Sequence, residues 1–271
     1  MDINKINSFH SFIWNFYHEN RREFAWRNID NAYHVMISEI MLQQTQTHRV
    51  ITKYQEFLDA FPTIESLAQA SLRDVLLVWQ GLGYYRRARF LHCAAQIIVE
   101  EHGGCVPEDP EMLQRLPGIG IATAASICAF AFNKPTVFIE TNIRTVFIHS
   151  FFREREDVSD KEIIPFVAAS VDRDNPREWY YALMDYGVFL KAQHVNPSRK
   201  SAHYSKQTKF EGSDRQIRAA ILKLVADKGA VDVTGIYEII NRDNNRIEKI
   251  LKALENDEFI IKNAKNQYCI V

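Results

Sequence analysis

One carboxylate stands inside the oily stretch VFIETNIRTVFIHSFF, residues 137–152: Glu140, followed at once by Asn142 and Arg144. An ionised acid is costly to bury unless something pairs with it or uses it. Two roles suit it. At a helix N-terminus a Glu favours the dipole while Thr141 or Asn142 caps free amides; in an active site it would act on a substrate. A second stretch, LPGIGIATAASICAF at residues 116–130, has binding chemistry instead. There one helix ends, Gly118 and Gly120 make a tight turn, and a helix of small residues begins. Glycines permit positive φ and leave amides exposed. Amides at a helix N-terminus form an anion site, and a DNA phosphate is a suitable anion. Such a grip uses the backbone and reads no sequence. A turn that serves only the fold is the alternative.

The elements that must position these groups are helices. INSFHSFIWNFYHEN repeats apolar residues at three and four, and YHVMISEIMLQQTQTHRVITKYQEFLDAF does so over two helices. TIESLAQAS and SLRDVLLVWQ predict short capped helices, and YYRRARFLHCAAQIIVEEHGG a longer one ended by glycines. Further helices fit 109–115, 120–132, 141–151, 159–171 and 175–190. Residues 1–191 therefore form an all-α domain with its hairpin at 116–120. Residues 192–213 are a basic linker or ordered arm, with Arg199, Lys200, Lys206 and Lys209 against Glu211. Residues 214–271 predict three helices and then two short strands around an Asn/Lys turn, the pattern of a small winged-helix domain. Arg242, Arg246 and Lys249 lie at or near its third helix, diluted by Glu248 and Glu255.

Composition narrows the class. The chain has 271 residues, 46% apolar and 25% charged, with net charge -1. No global basic field announces a polyanion, so a nucleic-acid face must come from local clustering. No apolar run approaches a membrane span. The N-terminus has acids early and no small-residue cleavage site, so a signal peptide is not expected. Cys93, Cys105, Cys128 and Cys269 fit no metal-ligand or disulfide spacing. The expectation is a soluble cytoplasmic protein, nucleoid-associated if bacterial, and a monomer.

FAWRNIDNAYHVMISEIMLQQTQ, WQGLGYYRRAR, LPGIGIATA, ETNIR and MDYG occur in an order and spacing that resembles the MutY-type adenine DNA glycosylases of the helix-hairpin-helix superfamily, over roughly residues 8–190. The resemblance implies two helical lobes with DNA across the cleft between them. It makes Glu39 the acid that protonates adenine and helps activate water. It places Glu140 where the family has an Asp that steadies the sugar cation, beside Asn142. Base release builds positive charge on the sugar and negative charge on the base, which is why two acids are wanted. By the same resemblance Gln43, Gln44, Tyr84, Gly118, Gly120 and Thr123 touch DNA. Gln44 is the wedge that fills the gap of a flipped nucleotide, and Tyr84 stacks beside the opposite base. Trp26, Arg27 and Asp185 surround the extruded base.

Three departures limit what carries over. Ala122 stands where bifunctional relatives carry a Schiff-base lysine and where the family places a serine or tyrosine, so hydrolysis without strand cleavage by that route is expected. The segment after MDYG has none of the four cysteines that bind an iron–sulfur cluster in most relatives. No cofactor is therefore expected, with a monovalent cation at the hairpin left open. The last 58 residues are too few and wrongly patterned for the family's Nudix-like reader of 8-oxoguanine. The expected partner is duplex DNA with a mispaired or damaged base, adenine opposite 8-oxoguanine first. A different base, or DNA binding without catalysis, is the alternative.

Overall fold

The computed structural model describes residues 2–206 and 209–271. α1 (Ile3–Asn20), α2 (Ala32–Leu42) and α3 (Thr47–Ala60) lead into the short α4 (Ile64–Gln69) and α5 (Leu72–Val78) and the long α6 (Arg86–His102). The short pair are held by caps. Thr63 and Ser66 satisfy each other's backbone at the start of α4, and Ser71 accepts from Asp74 N–H before α5. Gly103 in the left-handed region ends α6. α7 (Pro110–Gln114), α8 (Ile121–Phe132), α9 (Thr141–Phe151), α10 (Asp160–Ser170) and α11 (Pro176–Gln193) follow. The helices expected between 109 and 190 thus form, with ends displaced by less than a turn. A 3-10 turn at Pro197–Lys200 precedes α12 (Asp214–Lys228), α13 (Val233–Ile240) and α14 (Asn244–Asn256), and strands β1 (Ile260–Lys262) and β2 (Tyr268–Ile270) come last.

The chain divides into two compact units. The first holds the residues up to Glu39, Val106–Arg115 and Ile119–Lys206. Its core is aromatic: Phe9 of α1 meets Phe147 and Phe151 of α9 at 5.3 and 5.0 Å between centroids, and Trp179 of α11 at 6.1 Å. α9 and α11 approach closely because Gly187 has no side chain. A Cβ there would lie 2.6 Å from the Asn142 carbonyl oxygen. The arm joins this unit: Val158 N–H donates to the Lys200 carbonyl and Ala202 N–H to the Val158 carbonyl, at 2.9 and 3.0 Å. Its residues 207 and 208 lie outside the described residues.

The second unit holds Ile40–Cys105, Leu116–Gly118 and the described residues after Lys206. α12 packs on α5, where Arg73 Nε donates to the Ala226 carbonyl at 2.7 Å. β1 and β2 pair antiparallel with Ile261 opposite Cys269. Val231, between α12 and α13, bridges to Tyr268 as well. The hairpin forms where two short strands were expected, whereas the Val231 pairing was not expected.

Candidate active site

Glu39 lies near the C-terminal end of α2 in the first unit. Ser126 of α8 places its Oγ 2.5 Å from Glu39 Oε2 and 3.0 Å from the Thr123 carbonyl oxygen. A hydroxyl has one proton and can also accept. An ionised Glu39 receives that proton, whereas a protonated Glu39 can donate to Ser126 while Ser126 turns to Thr123. The crowded surroundings push the Glu39 carboxyl up from 4.5 to about 7. Burial is the largest cause, the Ser126 hydroxyl opposes it, and the Glu140 charge adds to it. Part of the Glu39 residue stays open to solvent, as proton exchange requires.

Glu140 caps α9 with its own carboxylate. Oε1 accepts from Asn142 N–H at 2.7 Å and Ile143 N–H at 2.8 Å, and Oε2 accepts from Asn142 Nδ2 at 3.2 Å. The cap is therefore Glu140 itself and not Thr141 or Asn142, because the longer side chain folds back over the first turn. Of the two roles open to this acid, the structure shows the cap, which orients the carboxylate; its charge also reaches Glu39. Asn142 in turn accepts from Lys191 Nζ at 2.7 Å. Lys191 sits one turn beyond Gly187 on α11, so the close helix approach brings it within reach. Burial lowers the Lys191 pKa, and the Glu140 charge counters this.

Asp185 and Arg27 form a buried pair. Arg27 Nη1 and Nη2 donate to Asp185 at 2.9 and 2.7 Å, and Arg22 adds its backbone N–H and Nε at 2.9 and 2.7 Å. Four donors engage this carboxylate, so it anchors the 22–27 segment as a wall. Trp26 lies buried with its ring stacked on Phe24 at 4.8 Å. The Arg27 guanidinium sits 4.5 Å over Tyr181, whose hydroxyl also feels the Glu39 charge.

At the hairpin only Gly118 uses positive φ, at 77°, and a Cβ there would lie 2.8 Å from Phe90 Cβ. Gly120 is extended, with φ −87° and ψ 177°, so of the two turn glycines Gly118 alone uses the positive φ that glycine permits. Gly120 instead opens α8 without a side-chain cap. Ile121 and Ala122 are exposed and Thr123 half-buried in that first turn. The first turn of α8 is thus the accessible end of a helix dipole.

In the second unit, Gln44 and Tyr84 are exposed and both occupy the left-handed region, with φ 54° and 46°. Non-glycine residues held there store strain and often mark functional positions. Buried Arg87 fastens their two turns together. It donates to the carbonyls of Ile40, Met41 and Gln43 on one side, to those of Leu82 and Gly83 on the other, and to Thr45 Oγ1. Gln43 therefore holds the scaffold through its backbone. Sequence reasoning missed Arg87, Ser126 and Lys191.

Comparison with known proteins shows which sequences and folds the chain is similar to. Residues 37–165 match the family described as HhH-GPD superfamily base excision DNA repair protein. The chain is 41% identical over 151 residues to an adenine DNA glycosylase of Rattus norvegicus, covering 52% of this chain and 29% of that protein. It is 26% identical over 280 residues to an adenine DNA glycosylase of Mycobacterium tuberculosis (strain H37Rv), covering 94% and 90%. A solved thermostable thymine-DNA glycosylase superposes with TM-score 0.65 at 24% identity, over 73% of this chain and 92% of that one, which shows the shared fold. The chain thus spans less than a third of the rat relative's length. Over residues 37–165 the chain is thus similar to the HhH-GPD superfamily of base excision DNA repair proteins, and over most of its length to a mycobacterial adenine DNA glycosylase.

Proposed function

We propose that the protein is a monofunctional DNA glycosylase that hydrolyses the bond between sugar and base in duplex DNA, with adenine mispaired opposite 8-oxoguanine as its first substrate. The observation that carries the reading is Glu39, a carboxyl that still holds its proton near neutrality and feels the charge of Glu140. Protonated Glu39 donates to a ring nitrogen of the base, and the N-glycosidic bond breaks with its electron pair leaving on the base. The Glu140 carboxylate, fixed by three donors, stabilises the sugar cation. Water then adds to the cation and returns a proton to Glu39. Ala122 offers no amine for a Schiff base, so strand cleavage by that route is absent. No cysteine lies between Cys128 and Cys269, so the segment directly after MDYG has no set of thiolates for an iron–sulfur cluster; the arm there pairs with Val158 through Lys200 and Ala202.

The α8 N-terminus and the Gln44 and Tyr84 turns support contact with DNA as in the sequence reading. The organisation we favour is a helical domain over 1–191, an arm over 192–213 and a winged helix over 214–271, the last supported by three helices, the hairpin and the Val231 bridge. The same reading has a monomer working on chromosomal DNA. Duplexes carrying single lesions or mispairs, incubated with the protein and then with alkali, test it. Breaks at adenine opposite 8-oxoguanine confirm the assignment. Breaks only at another base reassign the substrate, and none at any base leaves a binding protein.

A further inference from the structure

The second unit contains a cavity of about 760 Å³ whose lining extends beyond the family match at residues 37–165 to Phe210, Arg215, Arg218 and Ala219. One side is the strained pair Gln44 and Tyr84, with Arg49 beside them; the other is the start of α12, with Phe210, Arg215 and Arg218. Five lining residues are arginines and none is acidic, so the cavity selects an anion. Asp257 offsets part of that charge from behind, accepting from Arg86 and Arg218 at 2.5 and 2.6 Å. Arg215 Nη1 reaches the Tyr84 hydroxyl at 3.2 Å, tying the C-terminal segment to the Tyr84 turn. Tyr84 and Phe210 are both exposed, at 36% and 53%. Exposed rings among guanidinium groups are the chemistry of a planar base carrying a phosphate.

We propose that the C-terminal segment completes, through Phe210, Arg215 and Arg218, a site for an unpaired nucleotide of the DNA strand facing the excised base. The inference rests on the reading of the chain as a DNA-binding glycosylase. It gives the C-terminal helices a task unlike groove reading by a third helix. Arg246 of α14 is already engaged with Asp214 Oδ1 at 2.5 Å and the Gly212 carbonyl at 2.8 Å, and so steadies the turn before α12.

The test uses the full chain and a duplex with 2-aminopurine opposite a tetrahydrofuran abasic analogue, a probe that needs no base release. Stacking in the site quenches the 2-aminopurine fluorescence. Phe210→Ala with Arg215→Ala weakens binding about ten-fold and removes the quench, Phe210→Tyr restores the quench, and Lys249→Ala on α14 changes neither. A folded double variant that binds and quenches like the parent protein overturns the proposal. So does equal displacement by free dGMP and by the duplex strand, which would mark a free-nucleotide site. If the double variant does not fold, Phe210→Leu alone must lose the quench. Quenching by a parent protein that releases no base sinks the enzymatic reading and supports this site; base release without quenching sinks this site alone.

Discussion

Glu39 and Glu140 are the same residue type in unlike surroundings, and the mechanism we propose gives them opposite work. Burial and a neighbouring negative charge keep the proton on Glu39 up to about pH 7, while helix amides and Asn142 hold Glu140 as an acceptor. Base release therefore falls as pH rises through about 7, where Glu39 loses its proton. The Ser126 hydroxyl favours the ionised form of Glu39, so Ser126→Ala moves the midpoint of the single-turnover pH profile upward; a downward shift or none would refute the coupling. Stability follows from proton binding. The folded chain keeps the Glu39 proton up to about 7 and the unfolded chain only to its ordinary 4.5. That contribution is full below 4.5 and is lost as pH rises to about 7. Denaturant melts of Glu39→Gln should show a flatter pH dependence across this window than those of the parent protein. The positions of both acids were legible in the sequence because their motifs name them. Ser126 was not, since a serine among alanines in a buried helix carries no mark of chemistry before the helix is placed.

At the scale of elements, the site depends on how near α9 lies to α11. Gly187 permits that approach, and Lys191 one turn later steadies Asn142 against Glu140. Gly187→Ala would drive a Cβ to 2.6 Å from a backbone oxygen, and the oxygen cannot swing aside as a side chain would. We expect a loss of about 1–3 kcal/mol, read from thermal or denaturant melts, together with slower base release; an unchanged melt would show that the helices have room to part. Lys191→Met keeps the packing and removes the donor to Asn142. Single-turnover release should slow several-fold at unchanged DNA affinity, and an unchanged rate would reduce Lys191 to packing. Helix limits were readable from caps, glycines and the spacing of apolar residues. The Lys191 link was hidden because it joins residues 49 apart through a contact that only the folded helices make. Arg87 was hidden differently: in the run YYRRAR it resembles one more surface cation, whereas it is buried among carbonyls.

For the whole molecule, the helical character and the change of texture after residue 191 were plain in composition and periodicity. The single-residue bridge at Val231 has no period to detect, and the docking of the arm on the first unit rests on backbone pairing across distant segments. The chemistry we propose for the chain is hydrolysis. Borohydride added during turnover should trap no covalent protein–DNA adduct, because Ala122 supplies no amine; a trapped adduct would reveal another nucleophile. The most direct measurement is single-turnover base release from duplex DNA carrying adenine opposite 8-oxoguanine, comparing the parent protein with Glu39→Gln and Glu140→Gln. Each substitution should slow release by about a hundred-fold or more while the duplex still binds. Near-parental rates in either variant would contradict the two-acid mechanism.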